Sequence, residues 1–220
     1  MKDYNSYLFE QEYWSKNLLV CGIDEVGRGC LAGPVVTAAV ILHSHAYHPM
    51  IIDSKKLNKS NLLLAHQWLM SHCTYNIAIN SQTIIDTHNI YQATKITMHN
   101  ALIHLLVKTS KLPSLILIDA MPLTLEKTSF NNIATQSFTQ GESKSASIAA
   151  ASIIAKVTRD NILTRLAISF PNYGFENHKG YATKQHQYNL TKLKPCILHR
   201  ETFLNNFLTK TKYEQQSIFC

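Results

Sequence analysis

The chain has 220 residues, of which 45% are apolar and 16% charged, with 21 Lys and Arg against 14 Asp and Glu. That length supports one domain with a core of its own, and the formal charge of +7 favours a polyanionic partner. No apolar run approaches the ~20 residues a membrane-spanning helix needs, and the polar, aromatic start from Met1 to Lys16 lacks the apolar core of a signal peptide, so a cytoplasmic protein with no membrane partner is expected.

Tyr4, Tyr7, Phe9, Tyr13 and Trp14 read as a packed lead-in helix. Leu18–Asp24 is the first strand-like segment, an apolar approach that breaks into Asp24-Glu25-Val26-Gly27-Arg28-Gly29. Adjacent side chains of a strand point to opposite faces, so Asp24 and Glu25 share one site only at a strand end or a bulge. Gly27 and Gly29 allow a tight turn with backbone N–H groups close to a ligand, and Arg28 supplies a planar fork suited to phosphate. A solvated acidic turn and a metal site beside an anion site both fit this stretch. Val35–Leu42 is a second strand, followed by a loop in which His43, His45 and His48 have no nearby carboxylate or thiol to complete a metal site.

A helix follows at Lys59–Ser71, with Leu62, Leu63, Ala65, His66, Leu69 and Met70 at helical spacing. Then come a strand at Thr74–Ile79, a helix at Ile90–Lys108, strands at Leu115–Asp119 and Ile133–Phe138, and an Ala- and Ile-rich helix at Ala146–Ile168 that stops before Pro171-Asn172-Tyr173-Gly174. Two early strands joined by a short turn, then strands alternating with helices, give an α/β fold with a mixed sheet flanked by helices. Residues 1–170 form the main domain and residues 171–220 a C-terminal helical extension packed on it. From Tyr181 onward six basic residues stand against two acidic ones, which suits substrate binding by that extension. The tail from Tyr213 to Cys220 reads as a docking peptide or as disorder. Cys21, Cys30, Cys73, Cys196 and Cys220 form no Cys-x-x-Cys pair, so free thiols in a reducing compartment are expected and zinc is not.

Two further acids draw attention. Asp119 ends the apolar run Leu115-Ile116-Leu117-Ile118, at the strand edge where α/β sheets hold ligands, although an Asp before Ala-Met-Pro also starts a turn. Asp160 shares a helix face with Ile153 and Lys156, where an ion pair with Lys156 or Lys144 and a bound cation are the two ways to offset its burial. Several acids in one cleft stay ionised together only around hard cations. An oxygen-only donor set selects Mg²⁺ or Mn²⁺, and in a basic protein that pairing suits metal-assisted hydrolysis of a phosphodiester.

These residues, taken together, resemble the ribonuclease HII family. The resemblance covers about residues 18–207 and rests on Gly22–Gly29, Leu31-Ala32-Gly33-Pro34-Val35-Val36, Asp53-Ser54-Lys55-Lys56-Leu57, Ile118-Asp119, the helix Ser147–Asp160, His178-Lys179-Gly180-Tyr181-Ala182-Thr183, and His199-Arg200 with Phe203. It implies an RNase H-like five-stranded mixed sheet and an endoribonuclease acting on the RNA strand of RNA–DNA hybrids and 5′ of single ribonucleotides in duplex DNA. It further implies two divalent ions, Mg²⁺ or Mn²⁺, and 3′-OH and 5′-phosphate ends. Asp24, Glu25, Asp119 and Asp160 resemble the four metal-binding carboxylates. Gly27, Arg28 and Gly29 resemble the turn that reads the ribonucleotide 2′-OH, and Tyr181 the tyrosine that stacks on the next, deoxy, sugar. Lys55, Ser143 and Lys144 are the implied phosphate contacts. Ala120, Glu142, Cys30 and Ala182 depart from the family's usual Gly, Asp, Pro, and Gly or Pro.

A ribonuclease HIII-like enzyme is the nearest alternative, though that family carries an N-terminal substrate-binding domain and fewer than twenty residues precede the first strand here. Another RNase H-fold nuclease and a non-catalytic nucleic-acid-binding module are the remaining alternatives, the last disfavoured by the four acids. A monomer is expected.

Overall fold

The computed structural model describes residues 5–204. Lys210, Lys212, Cys220 and the tail from Tyr213 lie outside the described residues. Among those described, no helix is long and apolar enough to cross a membrane.

Five strands, β1 (Val20–Val26), β2 (Val35–Leu42), β3 (Cys73–Asn80), β4 (Leu115–Asp119) and β5 (Ala134–Phe138), form one mixed sheet in the order β3-β2-β1-β4-β5. β1 is antiparallel to β2 and parallel to β4. The helices are α1 (Leu8–Ser15), α2 (Lys59–His72), α3 (Gln82–Lys108), α4 (Ala146–Ser169), α5 (Phe175–His178) and α6 (Lys184–Leu193). The expected α/β class and the mixed five-stranded sheet with flanking helices are therefore both observed.

Every residue of β2 is buried, because both faces of the sheet are covered, as its unbroken β-branched and Ala sequence requires. Val36, Ala38, Val40 and Leu42 pack on one face with the Ala stripe of α4 and with Leu62, Ala65 and Leu69 of α2. Ala39 and Ile41 point the other way, joining Cys21, Ile23, Ile116 and Ile118 against Met98, Ala101, Leu102 and Leu105 of α3. Leu63 and Met70 of α2 are exposed, since the sheet takes up only a narrow stripe of that helix.

α3 begins eight residues earlier than its apolar spacing predicts and is broken at Asn89, whose φ is 63°. The Asn89 side chain accepts a hydrogen bond from the Gln92 N–H at 3.1 Å and so caps the second, longer part. α4 starts on Ser145, whose hydroxyl accepts from the Ile148 N–H at 3.3 Å. The buried Glu10 of α1 also reaches this helix start and accepts from Ser145 Oγ at 2.6 Å and from the Ser147 N–H at 2.9 Å. A carboxylate there complements the positive end of the helix dipole.

α4 lies so close to β1 that a Cβ on Gly22 would collide with the Ser147 carbonyl carbon. Only glycine fits, and the small residues of α4 allow the approach. The helix runs in the same direction as β1, since Gly27 further along meets the Arg159 side chain.

Candidate active site

β1 continues through the two acids to Val26, with unbroken pairing of Asp24 to Ala38, Glu25 to Thr37 and Val26 to Val36. Asp24 and Glu25 therefore lie inside a regular strand. They become neighbours of one site because β4 pairs with β1 only as far as Ile23, leaving a notch where Asp119 ends β4. Ile23 faces α3 and Gly22 faces α4, so alternation turns Asp24 towards α4. The Glu25 N–H donates to Asp24 Oδ1 at 2.8 Å.

The carboxylates at the notch are held by backbone and side-chain donors. Asp119 Oδ1 accepts from the Gly141 N–H at 2.7 Å. Glu142, buried on the short turn Gly141–Ser143, accepts from Ser152 Oγ at 2.6 Å and from Lys55 Nζ at 3.4 Å. Ser152 is in turn 2.8 Å from Ser54 Oγ. Glu25 pairs with Arg28 at 3.3 Å through Oε1, and its buried Oε2 has no hydrogen-bond partner among the described residues.

Burial, reinforced by the charges of Glu25, Glu142 and Asp119, pushes the Asp24 carboxyl well above its ordinary range. Burial also raises Glu25, with Asp119 adding to it and Arg28 opposing it. For Lys55, burial lowers the pKa but is outweighed by Glu142, Asp24 and Asp53, so the net shift is upward. A cleft of about 370 Å³ lined by Asp53, Lys55, Lys56, Asp119, Gln140, Glu142 and Ser143 opens beside these groups. As the side chains stand, no three of His, Cys, Asp or Glu among the described residues surround one point closely enough to hold a metal ion.

Asp160 is placed elsewhere. It lies eight residues beyond Ser152 on α4, ~12 Å along the axis, and pairs with Lys156 at 2.8 Å. With Lys55, Lys59, Lys156 and Lys179 it lines a second groove, of about 690 Å³. The structure thus gathers Asp24, Glu25, Asp119 and Glu142, and leaves Asp160 with its lysine. Glu142 carried a signal in the sequence: it is the sole carboxylate between β5 and α4, immediately before the helix that packs on β1.

The other residues singled out from the sequence surround the notch. Gly27 is buried at φ 98° and Gly29 is exposed, with open space where its Cβ would be. Ser143 is exposed and donates to the Gln140 carbonyl at 2.8 Å, while Lys144 Nζ sits 4.9 Å from the Phe138 ring centroid. Ala120, where glycine is usual in the resembling family, adopts φ 56° despite its Cβ. Tyr181 keeps 38% of its surface exposed and lies between Lys156 Nζ at 5.8 Å and the Arg159 guanidinium at 5.7 Å from its ring centroid.

Three histidines fix the backbone at Tyr181. His186 Nδ1 lies 2.9 Å from the Tyr181 carbonyl and therefore carries the proton, so its Nε2 accepts from His199 Nε2 at 3.0 Å. His199 Nδ1 then accepts from the Cys196 N–H at 3.0 Å. His178 stacks on His186 and accepts from the Gly180 N–H at 3.2 Å. Burial lowers the pKa of all three, that of His186 to about 4.

Comparison with known proteins places this geometry. The family model for ribonuclease HII matches residues 21–206. Ribonuclease HII of Bacillus cytotoxicus is 46% identical over 185 residues, which cover 84% of this chain and 68% of that protein. Among solved structures, the ribonuclease HII of Archaeoglobus fulgidus, in complex with PCNA, superposes with a TM-score of 0.68 at 24% identity over 84% of this chain and 94% of its own. Bst-RNase HIII in complex with Mn²⁺ gives 0.61 at 20% identity, over 86% and 74%. At those identities the two solved structures speak to the fold alone.

Proposed function

This chain belongs to the ribonuclease HII family, and with it to the endoribonucleases of RNA–DNA hybrids; from that premise we propose that it also incises on the 5′ side of single ribonucleotides in duplex DNA, leaving 3′-OH and 5′-phosphate ends. In this reading Asp24, Glu25, Asp119 and Glu142 hold two divalent cations, Mg²⁺ or Mn²⁺. The observation that carries it is Asp24: a buried carboxyl raised by its burial and by three acidic neighbours, beside a buried Glu25 oxygen with no partner among the described residues. Left ionised, such a group is unfavourable to the fold unless a cation is its ligand.

The donor chemistry fits. All four side chains offer oxygen, which hard divalent ions prefer. Two such ions, held by these carboxylates, would supply charge neutralisation at a phosphodiester and activation of water. The chain's own residues do the rest. Lys55 bridges the Glu142 carboxylate and the mouth of the cleft, where its charge stabilises the approaching phosphate. Ser152 and the Gly141 N–H fix the Glu142 and Asp119 carboxylates. The exposed Arg28-Gly29 backbone reads the 2′-OH, the group that separates RNA from DNA. Tyr181, held by His186, offers a half-exposed ring for the adjoining deoxyribose. Ser143, Lys144 and the basic residues of the C-terminal segment contact the duplex backbone. Residues 171–220 serve here as a substrate-binding extension of a catalytic domain spanning residues 1–170.

The test is a gel assay on a duplex bearing one ribonucleotide, run with EDTA, Mg²⁺ or Mn²⁺. Cleavage 5′ of the ribonucleotide in either metal and none in EDTA is expected. Metal-independent cutting, or cutting of an all-DNA duplex at the same rate, would sink the proposal.

A further inference from the structure

Two arginines are wholly buried, Arg159 on α4 and Arg200 in the C-terminal segment. Neither forms an ion pair among the described residues. A buried guanidinium without a carboxylate is costly unless its donors are satisfied, and here backbone carbonyls satisfy them. Arg159 donates to the carbonyls of Pro34 at 2.9 Å, Lys179 at 2.8 Å and Ala32 at 3.0 Å. Arg200 donates through Nη1 to Arg28 at 2.9 Å, through Nη2 to Gly27 at 2.7 Å, and through Nε and Nη2 to Gly33 at 3.0 and 2.8 Å.

The targets of Arg200 matter for recognition. No peptide bond of the described residues is cis, and in a trans peptide the C=O and the following N–H point in opposite directions. Drawing the Gly27 and Arg28 carbonyls inward therefore turns the N–H groups of Arg28 and Gly29 outward. Neither N–H donates a hydrogen bond within the described residues, and Gly29 faces open space. Gly27, at φ 98° with Arg159 Nε pressed against the place where a Cβ would stand, allows the carbonyls to bend in this way.

We propose that Arg200 is a positioning residue for ribonucleotide discrimination: its guanidinium fork pulls two carbonyls of the Gly27–Gly29 turn inward and so aims the Arg28 and Gly29 N–H groups at the 2′-oxygen of the substrate. The inference rests on the reading of that turn given under Proposed function. Lysine keeps the charge but cannot hold several carbonyls in one plane, so Arg200→Lys isolates the fork.

The experiment measures affinity, without turnover, in the Asp24→Asn background. Binding of a duplex with one ribonucleotide is compared with binding of the same duplex in all-DNA form, before and after Arg200→Lys. The expected result is an about tenfold smaller preference for the ribonucleotide duplex in the Arg200→Lys protein, with all-DNA affinity within about twofold, since a bond to the 2′-oxygen is worth roughly one such factor. A purely structural role would instead weaken both duplexes alike, and that result, or an unchanged preference, overturns the inference. Absence of any preference before Arg200 is changed defeats the reading of the turn itself, and this inference with it. Should Arg200→Lys fail to fold, Arg200→Gln serves instead: its short single amide cannot span the Gly27, Arg28 and Gly33 carbonyls that the fork now holds, and the same outcomes decide.

Discussion

Asp24→Asn separates what the acid cluster contributes to chemistry from what it costs the fold. Asp24 is 4% exposed, with its carboxyl raised by burial and by Glu25, Glu142 and Asp119. Asparagine keeps an oxygen that can accept from the Glu25 N–H, now bound at 2.8 Å, and removes the charge. A like-charged pair ~4 Å apart repels by about 1 kcal/mol in water and about 4 kcal/mol at an effective dielectric of 20. Three acidic neighbours raise that sum, whereas Arg28 on Glu25, Lys55 on Glu142 and partial protonation reduce it. A net gain of ~2 kcal/mol is expected without metal, which for a chain of this size is a rise in Tm of roughly 4–8 °C. The gain has a pH signature. Because the folded pKa of Asp24 lies above its unfolded value, the penalty is fully present above the folded pKa and fades as pH falls towards 4, so the advantage of asparagine shrinks on acidification. Divalent metal acts the other way: at a hundred times its Kd a ligand stabilises the native state by about 2.7 kcal/mol, and only the native acid should collect it. Thermal melts in EDTA and in millimolar Mg²⁺, beside a cleavage assay, check all of this. Activity should fall by more than ~100-fold, beyond the range seen for groups that merely support metal ligands. A variant that melts no higher than the native protein in EDTA, gains as much from Mg²⁺ and still cuts would refute the reasoning.

Glu142→Gln should lower cleavage by about 100-fold or more, whereas Asp160→Asn should change it only a few-fold, because Glu142 adjoins Asp24 and Asp160 is paired with Lys156; paired kcat/KM measurements decide, and the reverse ranking would return the fourth ligand position to Asp160. The neutral histidines at Tyr181 predict acid lability. The folded pKa of His186, about 4, lies below the unfolded value near 6.5, so its contribution is complete above pH ~6.5 and is lost as pH falls towards 4, at up to ~1.4 kcal/mol per pH unit for each histidine held neutral. Melting of the Asp24→Asn protein, in which the opposing titration of the acids is reduced, should show this fall, and a flat Tm between pH 6.5 and 4.5 would contradict it.

Much of the framework is legible in the sequence because it obeys local rules. β2 and β4 are recovered to the residue from their apolar runs, and α4 to within one residue of its end from its Ala and Ile spacing. The misplacements have particular causes. Asp24-Glu25 looks like the end of a strand since charges rarely occupy one, yet pairing with β2 carries β1 on to Val26. The first turns of α3 have a single buried apolar residue, Ile85, too few for a periodic signal. Asp160 and Glu142 differ in how far the sequence marks them. An acid on a helix face invites attention through its periodic neighbours, while one in an irregular turn offers none. What brings Glu142 to Asp24 is the hydrogen bond from Ser152, ten residues away in the chain and fixed by how closely α4 approaches the sheet.

That approach links the acids to the turn. Gly22 admits the start of α4 and Gly27 admits Arg159, so one helix touches β1 and the first residue of the turn that follows it at two side-chain-free points. The glycines are five positions apart, ~17 Å at the usual rise, and the twelve steps along the helix from Ser147 to Arg159 span ~18 Å. Because the two lengths match, the helix stays in register with the strand over the whole interval. Ser152 then falls beside Asp24, and Arg159 beneath the turn it shares with Arg200. The distance from the carboxylates at the notch to the exposed turn at Arg28-Gly29 is therefore set by two regular elements packed on each other, and not by the loop between them. On the function proposed above, a bond-breaking site and a sugar-reading site held at this constant spacing would cut at a fixed position relative to the ribonucleotide, which is what incision on its 5′ side would demand.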